Sequence, residues 1–410
     1  MKHSILVTIL SFLSLSLLGQ PQIVTGQPLA PQLKQQANLR TGAEQPGRYL
    51  PLLRGKQVGL IVNQTSVAGD EHLVDLLLRN EINVRAVFAP EHGFRGDAAN
   101  GETVVGGKDP KTGLTVHSLY GKTKKPTPDM LKDIDVLVFD IQDVGARFYT
   151  YLSTMYYVME AAVEQNIEVL VLDRPNPNGF YVDGPVLDEK FKSFVGIIPI
   201  PVVHGMTLGE LARMINGEKW LKNGMQCALT VVPCSDYAHD VEYHLPIDPS
   251  PNLTSMSAIY LYPSLCFFEP TKISIGRGTD FPFECMGYPG NKLGSFTFTP
   301  EHRPGKANHP DYEGKVCTGM HVGEFGSFYF RFYGRLYLPY LLEMYAEYPD
   351  KEAFFTNPEF FDKLAGTDQL RKAIIAGKTE EQIRAEWQPA LDTFKAKRKK
   401  YLLYPDPLVN

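Results

Sequence analysis

The sequence predicts an α/β protein: a Rossmann-like, doubly wound, mostly parallel sheet followed by a smaller C-terminal α+β domain. From Gly55 onward, short apolar runs alternate with segments whose apolar residues recur at helical spacing, the pattern of successive βαβ units. The runs are near-continuous Val, Leu and Ile rather than alternating, as strands covered by helices on both faces require. Around Ser250 the texture turns Pro- and aromatic-rich, with Pro246, Pro249, Pro251, Pro263, Pro270, Pro282 and Pro289 breaking any long helix, so a second domain begins there.

The expected strands are 58–62, 84–88, 136–140, 169–172 and 229–232, and residues 198–203 are a further candidate. Residues 71–80 and 150–164 carry the helical spacing between them. The chain ends in two segments rich in Ala, Glu, Lys and Arg, 368–376 and 380–399, which favour helix. The basic cluster Lys395, Lys397, Arg398, Lys399 and Lys400 is expected as a solvated helix end, where cations suit the macrodipole.

At the start, Lys2 and His3 precede an apolar stretch, 5–18, too short to span a bilayer. Residues 1–26 therefore read as a signal peptide and 27–47 as a linker, with a Rossmann-like domain at 48–250 and a C-terminal domain at 251–410. The mature protein is expected to be exported, periplasmic or secreted, with no stable membrane span. Export permits disulfides, yet the five cysteines, Cys227, Cys234, Cys266, Cys285 and Cys317, are odd in number and lack C-x-x-C spacing. Buried, inert thiols are expected. With 41 basic against 46 acidic residues the chain lacks the cationic excess of a nucleic-acid binder.

In open α/β sheets ligands bind beyond the carboxyl ends of the strands. Here those ends are polar: Asn63 after the first strand, Glu91 and His92 after the second, Asp140, Gln142 and Asp143 after the third, Asp173 and Arg174 after the fourth, and His204 after 198–203. Helix caps and turns explain Asn63 well but not Glu91 or Arg174, which are not favoured turn residues. No G-x-G-x-x-G turn follows the first strand and no Walker A loop or G-x-S-x-G elbow occurs, which removes dinucleotide, nucleoside triphosphate and common serine hydrolase chemistry. His92, His204, His239 and His244 lie singly on different segments, so no metal is expected.

What remains is a cleft with Glu91, Asp140, Asp143 and Asp173 from the sheet and Glu269 and Glu284 from the second domain. Paired carboxylates flanking an acetal are the usual equipment for glycoside hydrolysis. Glu91, stiffened by Pro90 and followed by His92 and Gly93, is the lead acid.

Five segments carry a resemblance: FAPEHGFRG at 88–96, DIQDVGARFYT at 140–150, DRPNP at 173–177, DGP at 183–185 and SIGRGT at 274–279. In this order they closely resemble the exo-β-N-acetylmuramidases of the NamZ type, over essentially the whole mature chain. The resemblance implies an enzyme that removes single N-acetylmuramic acid residues from the non-reducing ends of peptidoglycan fragments, muropeptides or disaccharides. It implies no cofactor, and an active site between a Rossmann-like domain without nucleotide and a smaller C-terminal domain. The family's P-E-H-G glutamate falls on Glu91, its D-I-Q-D-V-G-A-R segment on 140–147 and its G-R-G-T segment on 276–279, which brings Thr279 into the site.

Three mechanisms stay open: Asp143 or Asp140 as nucleophile, either as a base across a water, or attack by the sugar's own acetamido group. The lactyl carboxylate of muramic acid calls for a guanidinium fork, for which Arg147 and Arg277 are the candidates and Arg95 and Arg174 weaker ones. The rival classes are a non-catalytic periplasmic muropeptide- or sugar-binding protein, and an esterase or amidase, whose nucleophile would have to be Ser153, Ser264 or Cys266.

Overall fold

The computed structural model describes residues 38–94, 106–329 and 333–409. In chain order the strands are β1 (Gln57–Val62), the hairpin β2 (Val67–Ala68) and β3 (Glu71–His72), β4 (Asn83–Ala89), β5 (Gly107–Lys108), β6 (Thr115–Ser118), β7 (Val136–Asp140), β8 (Glu168–Leu172), β9 (Asp183–Val186), β10 (Pro201–Val203) and β11 (Leu229–Val232). Seven of them form one sheet in the order β11-β8-β7-β1-β4-β6-β5. Every pairing in it is parallel except that of the short edge strand β5 with β6.

The continuous apolar runs are explained by what covers the sheet. Val58, Leu60 and Val62 of β1, with Val136 and Val138 of β7, pack on one face against Tyr49 and Leu53 of α1 (Pro46–Leu53) and Leu73 and Leu77 of α2 (Leu73–Arg79). Ile61, Leu137, Phe139, Val169 and Val171 point to the other face, where α3 (Tyr151–Glu164) and α4 (Leu208–Gly217) supply Leu152, Met155, Met159 and Leu211. Alternate residues thus serve opposite cores, and the sheet is doubly wound. Truncating a wholly buried member such as Leu137 to Ala would cost about 2–5 kcal/mol, since neighbours held by the sheet cannot close the void.

The C-terminal part holds α5 (Met256–Leu265), the antiparallel strands β12 (Cys285–Tyr288), β13 (Phe296–Phe298) and β14 (Cys317–His321), and the helices α6 (Pro339–Glu347), α7 (Pro358–Ala365), α8 (Gln369–Ile375) and α9 (Glu380–Arg398). Its Phe267, Phe361, Trp387 and Phe394 belong to the same apolar cluster as Phe139 and Met155, so one core runs through both parts. The chain end then returns to the first part, where the Tyr404 hydroxyl donates to Asp173 Oδ2 at 2.5 Å.

Three expectations need correction in detail. Residues 198–203 yield only β10, which pairs antiparallel with β9 outside the main sheet. The end of the expected linker is packed: Gly42 N–H donates to Asp173 O at 2.7 Å and Ala43 is wholly buried. Within the basic cluster Arg398 turns inward, pairing with Asp406 and donating to Gly205 O at 2.6 Å, because the last turn of α9 lies on the first part. All five cysteines are free and buried, and burial pushes their thiols up. Among the described residues no helix is long and apolar enough to cross a membrane. The proposed leader, 1–26, lies outside the described residues.

Candidate active site

After β1 the chain builds outward through β4 and β6, then returns to place β7 on the other side of β1. The strand order reverses there, and the crevice of a doubly wound sheet opens beyond the carboxyl ends of those two strands. Asn63 follows β1, Gln142 and Asp143 follow β7, and Glu91 lies just past the end of β4.

Glu91 is buried, and its Oε2 accepts a hydrogen bond from Thr150 Oγ1 at 2.6 Å. The Tyr120 hydroxyl also bonds the Glu91 side chain, while the Tyr151 hydroxyl lies 3.5 Å from the Glu91 carbonyl oxygen. His92 and Gly93 both take positive φ, 70° and 80°, so the chain turns sharply after the carboxylate. For His92 that conformation is uncommon, and it carries the expected catalytic histidine around the bend.

Asp143 differs from its strand-end neighbours. Its Oδ2 accepts from Gly145 N–H at 2.7 Å, whereas its Oδ1 is buried with no hydrogen-bond partner among the described residues. Burial pushes its carboxyl up to about 7, against the pull of the Gly145 and Val144 amides. His204 Nδ1 accepts from Met206 N–H at 3.2 Å, which places the ring proton on Nε2, 4.0 Å from Asp143 Oδ2. Burial, with Arg398 and Arg147 adding repulsion, lowers His204 to about 3 and keeps it neutral. Gln142 donates to Asp143 O and Pro175 O, leaving a buried Oε1 without a partner. Asn63 Oδ1 accepts from Thr65 N–H and Oγ1, Thr65 Oγ1 accepts from Gln142 N–H at 3.0 Å, and Asn63 Nδ2 is buried without a partner among the described residues. A single hydrogen-bonded network therefore joins the ends of β1 and β7.

Other expected site residues are engaged in structure. Asp140 is wholly buried in a two-point pair with Arg174, which also donates to Val67 O, so neither presents a face to substrate. Asp173 accepts from Thr207 Oγ1, Tyr404, Gly209 N–H and Arg174 N–H, which anchors the start of α4 and the chain end. Burial still raises it to about 6. Arg147 is also wholly buried and gives its fork to the carbonyls of Pro185, Ile200 and Leu364, stapling the β9–β10 hairpin to α7. Its Nε has no partner among the described residues, but the side chain is sealed from solvent, so no lactyl carboxylate reaches it. Thr279 closes its own turn by donating to Gly276 O at 2.6 Å, and Glu284 accepts from Ser255. Arg95 lies outside the described residues.

From the C-terminal part, Arg277 Nη2 pairs with Glu269 Oε1 at 2.5 Å and its guanidinium lies 4.9 Å from the Phe283 ring centre. Both side chains keep about a fifth of their surface open, 22% and 20%. Burial raises the Tyr120 hydroxyl, and Glu91 and then Glu269 add to it, so carboxylates of both parts act on this one phenol. Sequence reasoning missed Thr150, Tyr120 and Tyr151; two of these sit in or beside the DIQDVGARFYT motif, and that was the available signal. The candidates for an esterase nucleophile are spoken for: Ser153 donates to Phe194 O, Ser264 accepts from Tyr337 N–H, and burial holds the Cys266 thiol high. Among the described residues no group of three His, Cys, Asp or Glu side chains could hold a metal.

A Rossmann-like sheet with two buried carboxylates at its switch point, faced by a carboxylate and an arginine from a C-terminal part, has the equipment of a glycoside hydrolase. The chain matches the family described as exo-beta-N-acetylmuramidase NamZ, N-terminal, over residues 58–257 and the corresponding C-terminal family over residues 260–404. It is 42% identical over 375 residues to the peptidoglycan beta-N-acetylmuramidase NamZ of Bacillus subtilis (strain 168), covering 87% of this chain and 89% of that protein. Crystal structures of two DUF1343 family proteins of Bacteroides fragilis align with TM-scores of 0.83 and 0.78 at 46% and 34% identity, each over 90% of this chain and 100% of the other. The chain belongs to the NamZ family.

Proposed function

We propose that this protein is an exo-acting β-N-acetylmuramidase that releases N-acetylmuramic acid from the non-reducing ends of peptidoglycan fragments, with Glu91 as general acid and Asp143 as the second carboxylate. Family membership supports the activity. The assignment of roles rests on one contrast. Asp140 and Asp173 have their oxygens consumed by Arg174 and by four donors, whereas Asp143 keeps a buried oxygen without a partner among the described residues.

In the reaction the bond between C1 and the leaving oxygen breaks as Glu91 delivers its proton to that oxygen. The 2-acetamido oxygen of the same sugar forms the new bond to C1, and Asp143 Oδ1 accepts the acetamido N–H as positive charge develops there. Water then attacks C1, the bond between C1 and the acetamido oxygen breaks to restore the acetamide, and the water gives up a proton to Glu91, which acts as base in this half. Attack from within the sugar has the advantage of proximity. We also propose export, on the leader at 1–26, which places the enzyme with its substrate.

Glu91→Gln keeps size and hydrogen bonding but supplies no proton. Turnover of a substrate with a sugar leaving group should fall by about 100-fold or more, and that of an activated aryl glycoside by less. Equal losses on both would remove Glu91 as the acid. A muramic-acid thiazoline, which mimics the cyclised intermediate, should inhibit competitively; failure to inhibit would point to a protein nucleophile or base instead.

A further inference from the structure

We infer that Thr150 is a positioning residue for Glu91, acting with Tyr120 to orient the carboxyl group that hands over the proton; the inference rests on the assignment of Glu91 as the acid. Thr150 occupies the N-cap position of α3, where a threonine hydroxyl normally accepts an N–H from the first turn. Here it makes no such bond. The hydroxyl is instead turned to Glu91 and donates to Oε2 at 2.6 Å. A helix of fourteen residues, eleven of them buried, thus gives up its side-chain cap to hold one carboxylate.

The next residue completes the grip. The Tyr151 hydroxyl reaches the Glu91 carbonyl oxygen at 3.5 Å and Pro249 O at 3.3 Å, so side chain and main chain of Glu91 are both referred to the start of α3. Tyr120, just beyond β6, contributes a second hydroxyl to the carboxylate from another element. With Oε2 held by Thr150, the direction of the carboxylate is set by a helix end as well as by the turn at His92. In general, a hydrogen bond donated to a carboxylate favours its ionised form, so the loss of one is read in a pH profile. Among the described residues the titratable groups near Glu91 include Tyr120 and Tyr151, with Glu269 and Asp143 in electrostatic reach of those hydroxyls and His92 next in the chain.

Thr150→Val removes the hydroxyl at nearly constant volume. Followed across pH on a chromogenic β-N-acetylmuramide, kcat/KM should fall by about tenfold or more, and its alkaline limb, where the acid loses its proton, should move to higher pH. Thr150→Ser should restore both rate and limb. Tyr120→Phe should displace the limb in the same direction, and it serves as the test if the valine variant does not fold. A loss of rate with the limb unmoved in Thr150→Val and Tyr120→Phe, or no rescue by serine, would overturn the inference. The two assignments separate on Glu91→Gln: if that variant keeps the alkaline limb, the acid is elsewhere, whereas if it abolishes the limb while Thr150→Val leaves it in place, only the role of Thr150 is lost.

Discussion

Arg174 grips Asp140 at two points, Nε to Oδ1 at 2.6 Å and Nη2 to Oδ2 at 2.9 Å, with both side chains sealed from solvent. The pair crosses from the end of β7 to the segment after β8. Its strength lies in mutual dependence: each charge is tolerable in the interior only because the other is there. Arg174→Met leaves a buried carboxylate without its cation and should cost about 3–5 kcal/mol of folding stability. Denaturant unfolding of this variant checks the figure. A loss of activity without a loss of stability would return Asp140 or Arg174 to the catalytic group.

Asp143 makes a prediction about pH. Burial pushes its carboxyl up to about 7 in the fold, well above the ordinary aspartate value of about 4. The folded protein keeps a proton there that the unfolded chain has released, so its contribution to stability is full below about pH 4 and is lost as pH rises toward about 7. Asp143→Asn cannot ionise. The stability difference, wild type minus variant, should therefore decline between pH 4 and 7 and level off above. His204 and Asp173 also titrate differently in the two states, but they contribute to wild type and variant alike and cancel. Urea midpoints at several pH values measure the slope; a flat difference would mean that Asp143 is ionised throughout.

Much of this architecture is visible in the sequence because the sheet imposes it there. Strands buried on both faces must be apolar at every position, so β1, β7 and β8 stand out from their surroundings. Glu91 and Asp143 stand out for a similar reason, as carboxylates at strand ends where a bland turn residue would suffice. What separates Asp143 from Asp140 is not local. The cation that engages Asp140 comes from Arg174, thirty-four positions along the chain, and nothing in the DIQD run announces which aspartate it will meet. Thr150 was hidden by the opposite effect. A threonine at a helix start needs no explanation beyond capping, and only the fold shows its hydroxyl turned to Glu91.

The two arginines expected to read the lactyl group now separate. Arg147 is wholly buried among three carbonyl oxygens, and burial lowers it to about 9. Removing it would strand those acceptors, each worth about 1–3 kcal/mol when left unmet. Arg277 keeps part of its surface open, lies over Phe283 and is held by Glu269, an arrangement that fixes the plane of the guanidinium before substrate arrives. N-acetylmuramic acid differs from N-acetylglucosamine by one lactyl carboxylate, so selectivity requires a cation at that position. Arg277→Ala should lose about 2–5 kcal/mol of transition-state binding toward muramic acid glycosides while its weak activity on N-acetylglucosamine glycosides stays unchanged. Arg147→Met should unfold at lower denaturant and retain the wild-type preference between the two sugars. Measuring kcat/KM for both glycosides with both variants decides it: a preference that survives Arg277→Ala would place lactyl recognition on another residue.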